Sequence, residues 1–335
     1  MKPRVLLVGC GSIGKRHLRN LKALGLDDLH AFDPRPDRAQ EAADQTGAKP
    51  CTRIEEGLAR KPDLALICTP NSLHVAAALS AARAGCHLFI EKPLSHSLDG
   101  ISELQEEVRR RGLTALVGCN MRFHPGIAMT RRLLSAGVVG RIACARVMAG
   151  SYLPEWHPWE DYRQGYSARA DLGGGVILDG IHEIDYLLDI LGPAAEVSCV
   201  AGRFSDIDIQ TEDAAEITLR LRHGALANIH LDYLQRAYRR TAQFSGTEGT
   251  LEWDFDRPEV RVYRAASKSW DAHPLPAADV NAMYVAEMEH LLACLAGREK
   301  PAQDLAAALA ALEVALAAKR SAETGTSVAL NQVAA

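Results

Sequence analysis

Val5-Leu6-Leu7-Val8-Gly9-Cys10-Gly11-Ser12-Ile13-Gly14 decides the class of the fold. Four apolar, β-prone residues run into a glycine-rich turn, and Lys15-Arg16-His17-Leu18 begins a helical pattern that ends near Gly25. A turn of this kind between a buried strand and a helix lets the backbone approach a pyrophosphate, which then rests on the helix N-terminus. Gly9, Gly11, Ser12, Ile13 and Gly14 are the residues that would form that cradle. A second strand, Leu29 to Phe32, ends in Asp33, about twenty residues beyond the last glycine, where a carboxylate can bind the adenosine ribose hydroxyls. That carboxylate favours NAD, because it would repel a ribose 2′-phosphate. Arg35 and Arg38 follow and can receive such a phosphate, so NADP stays open.

Outward from this stretch, strands and helices alternate to about residue 120. The strand Leu64 to Cys68 leads into Thr69-Pro70-Asn71-Ser72, and His87 to Ile90 delivers Glu91-Lys92-Pro93. Ser97 can cap the helix that ends near Arg111, and Thr114 to Val117 makes a last strand. Such alternation predicts a doubly wound parallel sheet, with ligands gathered at the carboxyl ends of its strands. The second half reads as α+β. Helices over about 126–136 and 176–191 accompany runs of alternating hydrophobicity from Glu196 to Tyr263, an antiparallel sheet to which Ile142 to Met148 can add an edge. We therefore expect a dinucleotide-binding domain over 1–122 and a substrate-binding and oligomerisation domain over 123–335, tightly joined, with the active site between them.

Composition narrows the function. With 335 residues and a formal charge of −4, the chain has the length of two domains and no electrostatic reason to bind nucleic acid. Eight cysteines without a C-x-x-C pair signal neither zinc nor a disulfide framework, and no metal role is indicated. There is no signal peptide and no apolar run of membrane-spanning length, so a cytoplasmic location is expected.

Behind Gly173-Gly174-Gly175, Asp179 and His182 stand three residues apart on an expected helix, hence on one face. Together with the glycine loop and the strand-end Lys92, they make a redox site. When hydride leaves a carbon, its hydroxyl proton needs a base, and the reverse reaction needs an acid. Lys92 serves if burial or a neighbouring cationic nicotinamide lowers its pKa, and His182 titrates close to the working range already. Asp179 suits orienting His182 or holding a substrate hydroxyl. The bland alternative is a helix capped by Asp179 with His182 hydrogen-bonded in the core. Glu91 is expected to hold the nicotinamide ribose, or else to form a plain ion pair. Arg122 reads equally as a cofactor or substrate contact and as an interdomain salt bridge. The segment from Tyr152 to Tyr166 carries two of the four tryptophans, Trp156 and Trp159. Its aromatic faces can stack on a sugar ring, while Arg163 and Arg169 can hold a carboxylate or phosphate. An aromatic oligomer contact is the alternative.

Over essentially its full length the chain resembles the Gfo/Idh/MocA oxidoreductases. The matching stretches are Gly9 to Gly14, Thr69-Pro70-Asn71-Ser72-Leu73-His74, Glu91-Lys92-Pro93, Asn120-Met121-Arg122-Phe123-His124-Pro125, and the triple glycine leading to Asp179 and His182. The resemblance implies an N-terminal Rossmann domain and a C-terminal domain with an open-faced sheet that commonly joins subunits, here as a homodimer or homotetramer. It implies hydride transfer between a nicotinamide and a hydroxyl-bearing carbon of a sugar, cyclitol or sugar nucleotide. Cofactor-side contacts from Thr69, Asn71 and His74 and a cis bond before Pro93 are implied as well. The family's Asp and His are usually four residues apart, which leaves open the atom that Asp179 reaches. The Tyr-Leu-Pro stretch is similar to a branch associated with bacterial surface sugars. A relative that oxidises and re-reduces its sugar during elimination or epimerisation would use the same residues. A non-enzymatic sensor tends to lose the Glu-Lys-Pro lysine, which this chain keeps.

Overall fold

The computed structural model describes residues 2–277 and 279–330; Met1, Ala278 and residues 331–335 of the expected domains lie outside the described residues. Two compact units result, one formed by the chain to Asn120 together with Val280–Leu309, the other by Met121–Asp279 together with the chain from Ala310 onward. A single break near residue 122 therefore misses one feature, the later return of the chain to its first unit.

In the first unit, strands β1 (Val5–Val8), β2 (Leu29–Phe32), β3 (Lys49–Cys51), β4 (Leu64–Ile67), β5 (His87–Glu91) and β6 (Ala115–Gly118) form one sheet in the order β3-β2-β1-β4-β5-β6. Every neighbouring pair is parallel. All four residues of β1 and of β4 are at most 2% exposed, as strands covered on both faces must be. Helices α1 (Ser12–Ala23), α2 (Pro36–Thr46), α3 (Ile54–Ala59), α4 (His74–Arg83) and α5 (Ile101–Arg111) supply the crossovers. Ser97 does not cap α5; its hydroxyl donates to Asp99 in the preceding turn, and Gly100 precedes the helix. The strand order reverses between β1 and β4, so the loops after those two strands diverge and leave a crevice at their carboxyl ends.

The second unit holds α6 (Pro125–Ser135), β7 (Ile142–Gly150), α7 (Val176–Asp179), α8 (Ile181–Leu191), β8 (Ala194–Gly202), β9 (Ala214–Leu221), β10 (Leu226–Asp232), β11 (Arg239–Gly246), β12 (Gly249–Asp254), β13 (Glu259–Arg264) and β14 (Ser269–Pro274). With β15 (Val328–Ala329), they make a sheet ordered β14-β13-β12-β11-β7-β10-β9-β8-β15. Strand β7 is an interior strand, not an edge. It pairs antiparallel with β11 and parallel with β10, and its alternation of buried Ala145 and Val147 with exposed Cys144 and Arg146 suits a half-covered sheet. The same register aligns Asn228, Arg146, Gln243, Glu252 and Arg261 across five strands, giving that face a row of polar and charged groups. Helices α6, α7 and α8 pack on strands of this sheet.

The expected helix over 176–191 is broken at Gly180, which separates α7 from α8. Asp179 ends one helix and His182 lies in the first turn of the next, so the argument from one continuous helical face does not hold. After β14 the chain forms α9 (Asn281–Leu295) and α10 (Leu305–Thr324). Met288 and Leu291 of α9 join Val5, Leu7, Leu18, Leu21 and Phe89 in the core of the first unit. Among the described residues, no helix is long and apolar enough to cross a membrane.

On the polar row's neighbour strand, the His230 ring lies between Glu216 Oε1 at 2.6 Å and Asp232 Oδ2 at 2.8 Å. The hydrogen bond to Asp232, followed by that to Glu216, pushes the imidazole up to about 9. A raised folded-state pKa contributes stability that is complete below the ordinary value of 6.5 and is lost as pH rises through about 9. Urea unfolding across that range should show wild-type stability falling more steeply than that of a His230→Gln variant. Parallel curves would deny His230 this role.

Candidate active site

The crevice loop is built by steric exclusion. Gly9 has φ +99°, and a Cβ there would come within 2.4 Å of the Cys68 carbonyl oxygen. A Cβ on Gly14 would lie 2.1 Å from the Gly9 carbonyl oxygen, so α1 could not start so close to β1. Around Gly11 the reverse holds, since a Cβ would meet nothing within 4 Å. That open side is where a pyrophosphate can approach the backbone. Lys15 donates the first helical bond to Gly11 at 3.0 Å, which leaves the amides of Ser12, Ile13 and Gly14 ahead of the ladder for an anion. Asp33 anchors the loop: Oδ2 accepts from the Cys10 amide at 2.8 Å and Oδ1 from the Arg35 amide at 2.9 Å. A carboxylate has about four acceptor directions, so two remain for ribose hydroxyls. Arg38 is half-buried one turn into α2, whereas Arg35 is exposed and pairs with Asp37. Burial, then the Asp33 charge, pushes the Cys10 thiol up to about 12, so it remains an inert S–H. These features fit a dinucleotide.

The strand ends beside this loop are tied to one another. His74 is fully buried, with Nδ1 2.8 Å from the Pro93 carbonyl and Nε2 2.8 Å from the Thr69 carbonyl. It is therefore a strut joining the Thr69 turn to the segment after Lys92, not the cofactor contact expected from the sequence. Burial lowers its pKa, against the two carbonyl hydrogen bonds. Asn71 is buried at the same turn, while Thr69 and Lys92 keep partial exposure. The Lys92–Pro93 bond is cis.

Glu91 is 8% exposed. Its Oε1 lies 2.6 Å from His17 Nε2 and its Oε2 accepts from the Lys92 amide at 3.1 Å. Both oxygens are thus engaged within the protein. His17 and, on α9, Glu287 are the residues that sequence reasoning missed. His17 falls on the stripe Gly14, His17, Leu18, Leu21, all buried on α1, and that i, i+3, i+4, i+7 spacing was the available signal. No local pattern announces Glu287. It is 1% exposed, and burial first, then the nearby Glu91 charge, raises its pKa well above the carboxylate range.

In the second unit, Asp179 is held between two phenols. Tyr166 Oη donates to Oδ1 and Tyr233 Oη to Oδ2, each at 2.6 Å. Tyr233 is fully buried, which together with Asp179 raises its pKa well above the usual phenol value. Trp156 leans edge-on against Tyr233 at 5.4 Å and donates its indole N–H to Ser151 at 2.8 Å. Arg236 stacks over the Tyr152 ring at 3.5 Å. Trp159 is 75% exposed, and Arg163 is an exposed partner of Asp161. The expected sugar-binding residues thus divide into Tyr166, which holds Asp179, Trp156, which packs on the other phenol, Tyr152, which lies under Arg236, and Trp159 and Arg163, which stand in solvent. His182 is buried. Arg122 forks onto Asp185 with two bonds of 2.7 Å and reaches Asp189 at 3.0 Å. Arg122, Asp185 and Asp189 all belong to the second unit, so the pair seen here is one internal to that unit. Among the described residues, no group of three or more potential ligands could hold a metal ion.

Comparison with known proteins gives two family-model matches. One, described as an oxidoreductase family with an NAD-binding Rossmann fold, covers residues 3–119. The other, the GFO/IDH/MocA C-terminal domain, covers residues 127–252. Oxidoreductase YrbE of Bacillus subtilis is 30% identical over 266 residues, which cover 75% of this chain and 74% of that protein. Myo-inositol 2-dehydrogenase of Thermotoga maritima is 28% identical over 264 residues, 74% of either chain. The structure of the WlbA dehydrogenase from Bordetella pertussis, in complex with NADH and UDP-GlcNAcA, matches with a TM-score of 0.83 at 24% identity. That match covers 99% of this chain and 100% of the other, and shows likeness of fold.

A raised carboxyl pKa has a definite sign in stability. The folded state holds the Glu287 proton more tightly than the unfolded chain does, so its contribution is complete below about 4.5 and is lost as pH rises toward the folded value. Glu287→Gln should therefore raise the thermal midpoint at pH 8 more than at pH 4. Equal shifts at both would mean that Glu287 is not a buried neutral acid.

Proposed function

The chain belongs to the Gfo/Idh/MocA family of NAD-binding oxidoreductases, and on that premise we propose that it transfers a hydride between NAD and a hydroxyl-bearing carbon of a sugar, cyclitol or nucleotide sugar. The observation that carries this reading is the carboxyl edge of the first sheet. There a loop open at Gly11 adjoins a strand end at which Glu91 grips the backbone of Lys92. Gly9, Gly11, Ser12, Ile13, Gly14 and Asp33 would hold the dinucleotide, with Arg38, Thr69 and Asn71 beside it. When bound, the nicotinamide supplies the hydride acceptor or donor.

The remaining work falls to side chains. In this reading Lys92 Nζ and His182 take the proton from the substrate hydroxyl in oxidation and return it in reduction. Asp179 fixes the substrate side: a phenol on each oxygen holds its carboxylate in place, where it would orient a sugar hydroxyl. Tyr152, Trp156 and Tyr166 wall the ring, while Trp159 and Arg163 are placed to meet a larger or anionic appendage. A nucleotide sugar from a surface-sugar pathway is the preferred substrate class, on the Tyr152-Leu153-Pro154 segment and on the UDP-GlcNAcA bound by the WlbA enzyme. Subunits would associate through the polar row of the second sheet, as a homodimer or homotetramer.

NADH absorbance, followed while the protein with NAD meets myo-inositol, UDP-N-acetylglucosamine, its uronic acid and simple hexoses, tests the reading. Sustained NADH formation is expected with at least one compound, and more slowly with NADP. A Lys92→Met variant should lose about 10²- to 10⁴-fold in rate while still binding NAD. Substrate consumption without net NADH would replace net dehydrogenation by internal redox cycling, and full activity in Lys92→Met would remove the lysine from the mechanism.

A further inference from the structure

Among the buried polar atoms of the first unit that have no hydrogen-bond partner among the described residues are His17 Nδ1 and both carboxyl oxygens of Glu287. An unpaired buried polar group is costly, so such atoms on two helices that pack together call for a common account. His17 is on α1 and Glu287 on α9, helices that pack together. Tyr284, one turn before Glu287, meets the His17 ring edge-on at 6.1 Å and carries Arg16 over its own ring at 4.5 Å. Phe89 closes the other side of His17 at 4.9 Å. The titratable groups that face Glu287 are Glu91 on β5, Tyr284 on α9 and the buried Cys68 after β4, and Tyr284 in turn faces Arg16, Lys92 and the His17 ring.

Hydrogen-bond capacity decides the protonation states. Glu91 accepts two donors, from His17 and from the Lys92 amide, which favours its anion. Glu287 receives no donor from the described residues and faces that anion, which favours its neutral acid. His17 with a proton on both nitrogens would bury a bare N–H at Nδ1. With the proton on Nε2 alone, it offers Nδ1 as an acceptor, and a neutral Glu287 carries the one O–H that such an acceptor needs.

We infer that His17 is a positioning residue for Lys92: its Nε2–H holds the Glu91 carboxylate, the carboxylate holds the Lys92 backbone, and the Glu287 carboxylic acid, through a single water, holds His17 in that tautomer. The inference deepens the dehydrogenase reading and rests on it for the role of Lys92. The links from His17 to Glu91 and from Glu91 to the Lys92 amide exist in the protein without substrate. It is a hydrogen-bond relay of orientation, with no net proton transfer.

The test is ¹⁵N NMR of the histidine-labelled protein without ligand, with His17 assigned by its disappearance in His17→Gln. His17 should be in the neutral Nε2–H form, its Nδ1 signal shifted by an accepted hydrogen bond. Glu287→Met should move that signal to the unbonded position, and Glu287→Gln, which keeps an N–H to donate, should restore it. With a substrate from the NADH assay, His17→Gln and Glu287→Met should lower kcat about ten- to hundredfold, with KM for NAD changed less than about twofold. Glu287→Gln should recover most of that loss. An Nδ1–H tautomer, an imidazolium, or an Nδ1 signal indifferent to Glu287 would overturn the inference whatever the enzyme's substrate. A correct tautomer in a protein that turns over nothing with NAD would instead sink the dehydrogenase reading alone.

Discussion

The Glu91 carboxylate is the constraint on which the carboxyl edge of the first sheet depends. A strand ends at its backbone, the lysine assigned to proton transfer begins at the next residue, and its two oxygens are claimed by a buried histidine and by that lysine's own amide. A flexible lysine can work as an acid or base only if its stem leaves the protein from a defined place, and here the definition comes from inside the sheet. His74 supplies the matching constraint after the lysine, through the Pro93 carbonyl. Between them, these two histidines fix both ends of the segment that presents Lys92.

In the second unit Asp179 is held by different chemistry. Two phenols donate to its carboxylate, one to each oxygen. The break at Gly180 gives Asp179 and His182 separate helices, and this sets their directions independently. Charge pairing in this unit is kept elsewhere, with Arg122 on Asp185 and Asp189 and Arg240 on Glu183. Those pairs are built into the fold rather than offered to a ligand.

Much of this was legible in the sequence because the governing physics is local. A strand, Gly9, Gly14 and Asp33 lie within about thirty residues, and each is demanded by backbone geometry or by ribose chemistry. Lys92 could be placed because it follows an apolar strand directly. What stayed hidden depends on distant partners. His17 meets Glu91 across 74 residues, and Glu287 joins the first unit only because the chain returns there at Val280. Ile142 to Met148 reads as an edge because alternation says that a strand is half covered, not which strands flank it. Arg122 looked available to a cofactor because a sequence cannot display the Asp185 fork that occupies it.

Transfer of deuterium tests the central claim most directly. The protein is incubated with NAD and a carbon-deuterated form of whichever sugar or cyclitol supports NADH formation, and the recovered NADH is weighed by mass spectrometry. The account predicts a single deuterium carried on the nicotinamide of every NADH formed. NADH of unlabelled mass would contradict direct hydride transfer from the substrate carbon, and with it the role assigned to the edge that presents Lys92.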